Sequence, residues 1–293
     1  MSFDDMPDRG KLILPGAMET TGRMLELSKQ VIPDLRSDLD VPYGDDFYQK
    51  IDIFLPDEEG HAGLPVFMFF HGGAWRHGFK EWEGFIAPNI TDLPAIFISG
   101  NYRLSPEAKW PAQINDVADS VNWVHGNIQK YGGDPNRIFV GGHSAGGHLT
   151  SLITLVPEYL RSRGLPDDVI TACLPMSAVF DIRLANAEPG GTRETVALIL
   201  LEDQEDDEEA SPVSHAGGNV APFFVCWGEH DTDDIKTDAA NMIAGLEEAP
   251  GHVETGILAG VDHFEANAAC ENRDCLYIQK AREWMINPPP RAG

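Results

Sequence analysis

Long apolar runs alternate with amphipathic stretches along most of the chain. Leu64–Phe70, Pro94–Ser99 and Ala221–Trp227 have almost no polar interruption, which is typical of strands buried on both faces of a parallel sheet. Their β-branched and apolar character predicts further strands at Arg137–Val140, Thr171–Val179 and His252–Ala259. Alternation within Tyr43–Pro56 predicts an early strand pair or hairpin.

Apolar positions at helical spacing predict helices between these strands. They lie at Thr20–Val31, Pro111–Lys130, Lys236–Glu248 and Leu276–Met285, and a further helix starts at Ala145. Strand and helix alternate without an internal repeat. This order favours an α/β fold with a mostly parallel, doubly wound sheet and helices on both faces, built as one domain over residues 1–293.

One stretch, from Asp181 to His215, breaks the alternation. It contains a glycine-rich turn, a short apolar helical patch at Val196–Leu201 and the acidic run Glu202–Glu209. The stretch leaves the carboxyl side of a strand, where open α/β sheets bind ligands. We therefore expect residues 181–215, together with residues 1–40, to form a small cap over the site, with the acidic run as a solvated surface.

The stretch Arg137–Thr150 (RIFVGGHSAGGHLT) places a glycine-flanked serine between a strand and a helix. Gly142–Gly146 has the form G-x-S-x-G. A sharp strand-to-helix turn leaves no room for side chains on either side of the serine, and glycines relieve that crowding. The serine then lies exposed at a helix N-terminus, where developing negative charge is favoured. Ser144 is therefore the candidate nucleophile.

A serine hydroxyl needs a base to remove its proton, and an imidazole in that role needs a carboxylate to orient it. In one arrangement of such groups the chain order is serine, acid, histidine, with the last two following later strands. His263 follows the last predicted strand and is the candidate base. Asp231 follows the strand Ala221–Trp227 and is the candidate acid. Its loop also holds three competing carboxylates, Glu229, Asp233 and Asp234.

Backbone N–H groups must stabilise the oxyanion of a tetrahedral intermediate. Ala145 follows the nucleophile directly and supplies one candidate. Gly72 and Gly73, in the His71–Trp75 loop after a buried strand, supply the others. We expect the substrate pocket to include Trp75, His143 and Phe180.

The net charge of −26 narrows the range of partners. Such a field repels phosphate backbones and anionic membrane surfaces, which argues against nucleic acid and membranes. The first ten residues are acidic and polar, without the basic and apolar pattern of a secretory signal, so we expect a cytoplasmic protein. We expect a small-molecule substrate, no metal and no cofactor, and a homodimer stays open. The four cysteines are expected as free thiols, with a local Cys270–Cys275 disulfide as the alternative.

Three motifs together resemble those of the α/β-hydrolase esterases. They are HGGAW at 71–75, NYRLSPE at 101–107 and GHSAGGHL at 142–149. The chain is similar to the hormone-sensitive-lipase-like carboxylesterases and to the kynurenine-formamidase-like group, from about Tyr43 onward. The resemblance implies Ser144 as nucleophile, Asp231 as acid, His263 as base, and Gly72 and Gly73 in the oxyanion hole.

Two departures separate the chain from the lipase-like branch. That branch typically has a third glycine at the position of Ala74 and an aspartate at the position of His143. The GHSAGGHL form is closer to the formamidase-like branch, whose loop usually carries an aromatic at the Ala74 position. The branch, and with it the substrate, stays open at this point.

The combined prediction is a serine hydrolase that cleaves small carboxylic esters through an acyl-enzyme on Ser144. An arylformamidase or amidase using the same three residues is the nearest alternative. A non-catalytic small-molecule receptor of the same fold is a second alternative. A lipase acting at a lipid interface is disfavoured because the acidic charge opposes anionic surfaces.

Overall fold

The computed structural model describes Phe3, Met6–Gly10 and Gly16–Gly293. These residues form one sheet whose strands are β1 Ser37–Pro42, β2 Lys50–Phe54, β3 Leu64–Phe70, β4 Ile96–Gly100, β5 Gly133–His143, β6 Ile170–Met176, β7 Phe223–Gly228 and β8 Val253–Leu258. The helices are α1 Ala17–Val31, α2 Ala87–Thr91, α3 Ala112–Asn127, α4 Ala145–Leu155, α5 Glu158–Arg161, α6 Thr192–Leu200, α7 Asp233–Glu247, α8 His263–Ala268 and α9 Leu276–Ile286.

The sheet has the order β1-β2-β4-β3-β5-β6-β7-β8. β2 pairs antiparallel with β1 and β4, whereas all the other neighbours run parallel. Phe70 at the end of β3 lies opposite Gly142 near the end of β5. The loop after β3 and the turn after β5 therefore begin side by side at the same edge of the sheet. The predicted mostly parallel, doubly wound sheet is confirmed.

Strand β3 explains why the sheet is covered on both faces. Val66, Met68 and Phe70 belong to one buried cluster, which also contains side chains of α3, α4 and α7. Phe67 and Phe69 point to the other face and join a cluster that includes side chains of α1, α2 and α9. Successive strand residues face opposite sides, so an uninterrupted apolar strand requires a helical layer on each.

Three predicted boundaries differ from the structure. The early strand pair was expected within Tyr43–Pro56, but β1 ends at Pro42. That strand is polar because it lies at the edge of the sheet, so no apolar run marks it. β6 ends at Met176 rather than continuing to 179, because Ser177 adopts a φ of 46°. The helix that was predicted to start at Lys236 starts earlier, at Asp233. The Thr232 hydroxyl accepts a hydrogen bond from the Ile235 N–H and caps the helix there.

Residues 181–215 form no strand, as expected. Their longest helix, α6, takes in most of the predicted apolar patch. Within the acidic run, every side chain is exposed or half-buried, which fits a solvated surface. The four cysteines are free thiols, as expected. Among the described residues, no helix is long and apolar enough to span a bilayer.

A buried ammonium group ties the β1 end of the sheet to the loop that follows β3. The Lys80 side chain is 1% exposed, and its Nζ lies 2.7 Å from Asp52, 2.8 Å from Glu81 and 2.9 Å from Asp40. Burial raises the pKa of Asp52, although the Lys80 charge opposes that shift. The ion pairs with Lys80 therefore favour the charged forms of these side chains, at a buried position where desolvation alone would favour the neutral forms.

Replacing Lys80 removes the buried ammonium group that pairs with the buried carboxylate of Asp52. We expect Lys80→Met to lower the free energy of unfolding by about 3–5 kcal/mol, measured by urea denaturation at pH 7. Lys29→Met removes an exposed i,i+3 pair with Glu26 and is the matched control, with an expected loss below about 1 kcal/mol. Equal stability of the two variants would contradict this account.

Candidate active site

The turn between β5 and α4 holds Ser144 in a conformation that few residues adopt. Its φ is 52° and its ψ is −115°. A Cβ at Gly142 would lie 2.5 Å from the Gly146 carbonyl carbon, and a Cβ at Gly146 would lie 2.0 Å from the Phe70 oxygen. Only glycine fits at both positions. The spacing G-x-S-x-G thus follows from the close packing of this turn against the end of β3.

The structure brings Ser144, Asp231 and His263 together from the ends of three different strands. His263 Nδ1 lies 2.8 Å from Asp231 Oδ1, and His263 Nε2 lies 3.1 Å from Ser144 Oγ. A ring that donates from Nδ1 to the carboxylate keeps the Nε2 lone pair free to accept the serine proton. The arrangement is therefore that of an activated nucleophile.

The Asp231 carboxylate is buried and held on both oxygens. Oδ1 accepts a hydrogen bond from the Thr232 N–H at 3.0 Å, and Oδ2 from the Gly228 N–H at 3.4 Å. Burial alone would raise the pKa of Asp231, but the hydrogen bond and charge of His263 outweigh it, and the pKa is lowered. The group therefore stays ionised beside the imidazole.

The competing carboxylates of this loop lie elsewhere. Glu229 accepts a hydrogen bond from the Gly260 N–H at 2.8 Å, and Asp233 pairs with Lys236 on the surface. Asp234 lies at the rim of the pocket that contains Ser144. Of the four carboxylates that the sequence analysis weighed, Asp231 is the one bonded to His263.

Gly72 and Gly73 lie directly against the nucleophile turn. A Cβ at Gly72 would be 3.1 Å from the Ser144 Cβ and 2.7 Å from His143 Nδ1. Gly73 has a φ of 119°, and Ala74 and Trp75 also have positive φ values. The loop can approach Ser144 this closely because Gly72 and Gly73 carry no side chain, and Ala145 begins α4 on the other side of Ser144.

Ser144 and His263 open into a pocket, here called the large pocket. Trp75, which the sequence analysis assigned to the pocket, is among its lining residues. Its remaining walls are mainly apolar and come from the end of β6, from α6, from α7 and from α8; they include Val179, Val196, Ile235 and Phe264. Residues from the 181–215 segment thus line the same pocket as the candidate nucleophile.

Phe180 is not part of this wall. Its ring is buried in the core, while its neighbours Val179 and Asp181 line the pocket. The Phe180 backbone N–H donates to Asp238 at 2.9 Å, and the Asp181 N–H donates to the same oxygen at 3.0 Å. Phe180 therefore does not line the pocket, and its neighbours Val179 and Asp181 line it instead.

Two buried contacts hold the 181–215 segment in place. Arg193 of α6 donates to Asp238 of α7 at 2.7 Å and also to the Asp181 carbonyl oxygen. Farther along, His148 Nε2 lies 2.7 Å from the Ala210 carbonyl oxygen. Burial lowers the pKa of His148 to about 3, so the ring is neutral and donates there. The sequence analysis missed both contacts because their partners, Asp238 and Ala210, are distant in the chain.

His143 lies behind Ser144 rather than in the large pocket. Its Nε2 is 2.8 Å from the His263 carbonyl oxygen, and the two rings are 4.8 Å apart. Burial, together with the charge of His263, lowers the pKa of His143 to about 3. A neutral ring therefore donates from Nε2 to the backbone of His263.

Beyond His143 and the Gly72–Gly73 loop lies a second, much smaller space, here called the small cavity. Glu83 is fully buried in its wall, and Asn267 of α8 donates to both Glu83 oxygens, at 3.1 and 3.0 Å. Burial raises the pKa of Glu83 to about 8, although the Asn267 hydrogen bond opposes that shift. The sequence analysis missed this carboxyl, because a glutamate in KEWEGF is typical of an exposed turn.

No group of three or more histidine, cysteine, aspartate or glutamate side chains among the described residues is arranged to hold a metal ion. The site contains a candidate nucleophile, base and acid in Ser144, His263 and Asp231. A glycine-flanked serine on a strained turn, joined to a histidine and a buried aspartate at the ends of later strands, defines an α/β-hydrolase.

Comparison with known proteins agrees with this class. The BD-FAE family matches residues 51–242, and the chain belongs to that family. The chain is 34% identical over 233 residues to a probable carboxylic ester hydrolase of Mycobacterium tuberculosis, LipM. The matched region covers 74% of this chain and 53% of LipM. It is 26% identical over 269 residues to an isoprenylcysteine alpha-carbonyl methylesterase of Arabidopsis thaliana, which covers 87% and 61%.

A solved esterase of the archaeon Pyrobaculum calidifontis has the same fold. Its TM-score is 0.72 at 21% identity, and the match covers 92% of this chain and 91% of that one. The chain spans about half the length of the curated relatives LipM, LipC and LipQ that it matches. The resemblance to the α/β-hydrolase esterases expected from the three motifs is confirmed.

The hydrogen bond to His263 makes Asp231 the candidate acid, with Ser144 as the candidate nucleophile. We expect Asp231→Asn to slow the covalent labelling of Ser144 by a fluorophosphonate about 10³- to 10⁴-fold, because the imidazole loses its orienting partner. Labelling is followed by intact-protein mass spectrometry. Asp233→Asn and Glu229→Gln remove nearby charges and are the controls, with rates expected within about threefold of wild type. A comparable loss in either control would contradict the assignment.

The buried carboxyl of Glu83 predicts a pH-dependent stability difference. A raised pKa in the folded protein adds stability below the ordinary glutamate pKa, and that contribution is lost as the pH rises toward about 8. The stability of Glu83→Gln relative to wild type should therefore increase between pH 4.5 and 8, by up to about 5 kcal/mol. Urea unfolding at several pH values measures it, with Glu26→Gln on the exposed side of α1 as control. A constant difference would contradict burial of an ionisable group there.

Proposed function

We propose that this protein is a carboxylic ester hydrolase that acts through an acyl-enzyme on Ser144. The observation that carries the proposal is the continuous hydrogen-bonded series Asp231–His263–Ser144, with distances of 2.8 and 3.1 Å. Membership of the BD-FAE family and the similarity to proteins named as esterases support the ester as the bond that is cleaved.

In the proposed reaction, His263 Nε2 accepts the Ser144 proton while Oγ attacks the acyl carbon. The imidazolium, stabilised by the Asp231 carboxylate, then protonates the leaving alcohol. Water enters, His263 removes its proton, and attack on the acyl-enzyme releases the acid and restores Ser144. The neutral His143 beside His263 favours this sequence, since a second cation 4.8 Å away would oppose formation of the imidazolium.

The oxyanion that forms at each attack would lie among the N–H groups of Gly72, Gly73 and Ala145. The close approach of Gly72 to Ser144 supports this assignment. One such donor typically contributes about 10²- to 10³-fold to the rate. The α4 N-terminus adds a favourable dipole at the same place.

We further propose that the 181–215 segment, with α1 on the opposite side, caps a single catalytic domain. Residues of α6 line the large pocket, and residues of α1 line the small cavity. The apolar wall of the large pocket fits a small, uncharged ester. The net charge of −26 supports a cytoplasmic protein without nucleic-acid partners.

Parallel assays with ester and formamide substrates test the proposal. The substrates are p-nitrophenyl acetate, butyrate and octanoate, and N-formyl-kynurenine. We expect ester turnover in wild type, a loss of at least about 10³-fold in kcat for Ser144→Ala, and little formamide cleavage. Preferential formamide cleavage would move the protein to the arylformamidase alternative. Activity that survives Ser144→Ala, or no activity in wild type, would contradict the proposed mechanism and favour a non-catalytic receptor.

A further inference from the structure

Helix α7 presents one face to the large pocket, and that face carries two carboxylates. Asp234 and Asp238 are four residues apart, which places them on the same side of the helix, one turn from each other. Both line the pocket, and Ile235 lines it with them. Asp238 is 2% exposed, whereas Asp234 is exposed, so this face runs from the mouth of the pocket into its depth. This inference rests on the proposed esterase function, which makes the pocket a substrate site.

The carboxylates in the depth of the pocket are neutralised by arginines. Asp238 pairs with Arg193 at 2.7 Å, and Asp181 pairs with Arg183 at 2.9 Å. These two ion pairs together carry no net charge, and the other walls at this depth are mainly apolar. A charged group without a counterion is costly to place in such surroundings. The depth of the pocket is therefore suited to an uncharged part of the substrate.

Asp234, at the mouth, has no such counterion. It forms no ion pair with any described residue, whereas its neighbour Asp233 pairs with Lys236 at 3.1 Å. Among the described residues that line the pocket, Arg193 is the only lysine or arginine, and Asp238 already neutralises it. The mouth of the pocket therefore carries an unbalanced negative charge, in contrast to its depth.

An aromatic ring and the overall field of the protein add to this charge. Phe264 is half-buried and lines the same pocket, with its ring 5.1 Å from the ring of His263. The face of an aromatic ring attracts cations, and quaternary ammonium groups are the best-known ligands of such rings. The net charge of −26 attracts cations to the surface and repels anions. All three features favour a cation at the mouth and oppose a carboxylate there.

We propose that the mouth of the large pocket is a cation subsite, and that Asp234 and Phe264 bind an ammonium group on one arm of the substrate ester. The ammonium group stays partly hydrated at the mouth, while the carbonyl carbon reaches Ser144. The apolar walls take the uncharged part of the ester, and the mouth adds a preference for a cation on one of its arms. The substrate class is thus an ester of an ammonium-bearing alcohol or acid.

Two matched pairs of esters test the subsite and identify the arm. Acetylcholine and 3,3-dimethylbutyl acetate differ only by a quaternary nitrogen against a quaternary carbon in the alcohol arm. Benzyl 4-(trimethylammonio)butyrate and benzyl 5,5-dimethylhexanoate differ in the same way in the acyl arm. The measured quantity is the ratio of kcat/KM for the cationic ester to that for its neutral partner, from acid release at constant pH. Comparing this ratio between variants cancels the intrinsic reactivity of each ester.

We expect the ratio to fall about 2- to 5-fold in Asp234→Asn for one of the two pairs, the effect of losing one partly solvated ion pair. Asp234→Lys places a like charge at the mouth and should lower the ratio further. A fall in the first pair assigns the alcohol to the subsite, and a fall in the second assigns the acyl group. Asp233→Asn is the matched control, because this carboxylate is paired with Lys236 on the surface. Its ratio should equal that of wild type.

Ionic strength provides a second measurement that needs no variant. Raising the salt concentration from about 0.01 M to about 1 M shortens the screening length from about 30 Å to about 3 Å and should lower the wild-type ratio for the same pair. Ratios unchanged in Asp234→Asn and Asp234→Lys, with Ser144-dependent hydrolysis of the neutral esters intact, would overturn the subsite alone. Wild type that hydrolyses the neutral esters but neither cationic one would overturn it as well. Absence of hydrolysis of the neutral esters in wild type would instead contradict the proposed function.

Discussion

The contact between the end of β3 and the turn after β5 is the constraint on which the site depends. The Phe70 carbonyl oxygen lies where a Cβ of Gly146 would be, at 2.0 Å, so two backbones touch without side chains between them. This contact holds Ser144 at a φ of 52° and brings Gly72 against it. The strain is compensated by the uninterrupted apolar packing of β3 and β5 on both faces of the sheet. Ser144 is thus positioned by the closely packed, fully buried centre of the sheet.

Burial also decides which groups of the site carry charge. His71, His143 and His148 are all fully or almost fully buried, and burial lowers the pKa of each well below its usual range. Burial raises the pKa of Glu83 instead of lowering it, and this keeps the carboxyl neutral. Asp231 stays ionised because His263 is its partner. Asp231 is therefore the carboxylate bonded to His263, and the buried side chains of His143, His148 and Glu83 are neutral hydrogen-bonding groups.

The order of the strands and the grouping of Ser144, Asp231 and His263 could be predicted because a local sequence pattern marks each of them. Buried parallel strands are apolar throughout, and loops at their carboxyl ends meet at one edge of the sheet. Strand β1 was placed too late because an edge strand needs no apolar run. Phe180 was assigned to the pocket because the exact end of β6, set by the φ of Ser177, is not visible in the sequence. Glu83, Asn267 and Arg193 have no motif, since their partners are distant in the chain.

The Asp238 carboxylate accepts hydrogen bonds from the Phe180 and Asp181 N–H groups and from the Arg193 guanidinium. Moving α6 away from the body would leave a charge that is 2% exposed without its counterion. Such an opening belongs with rare, sub-global unfolding events rather than with the rapid fluctuations of a surface loop. Under the proposed mechanism, substrate and product would therefore pass the pocket residues Thr232 and Asp234 while α6 stays docked on the body.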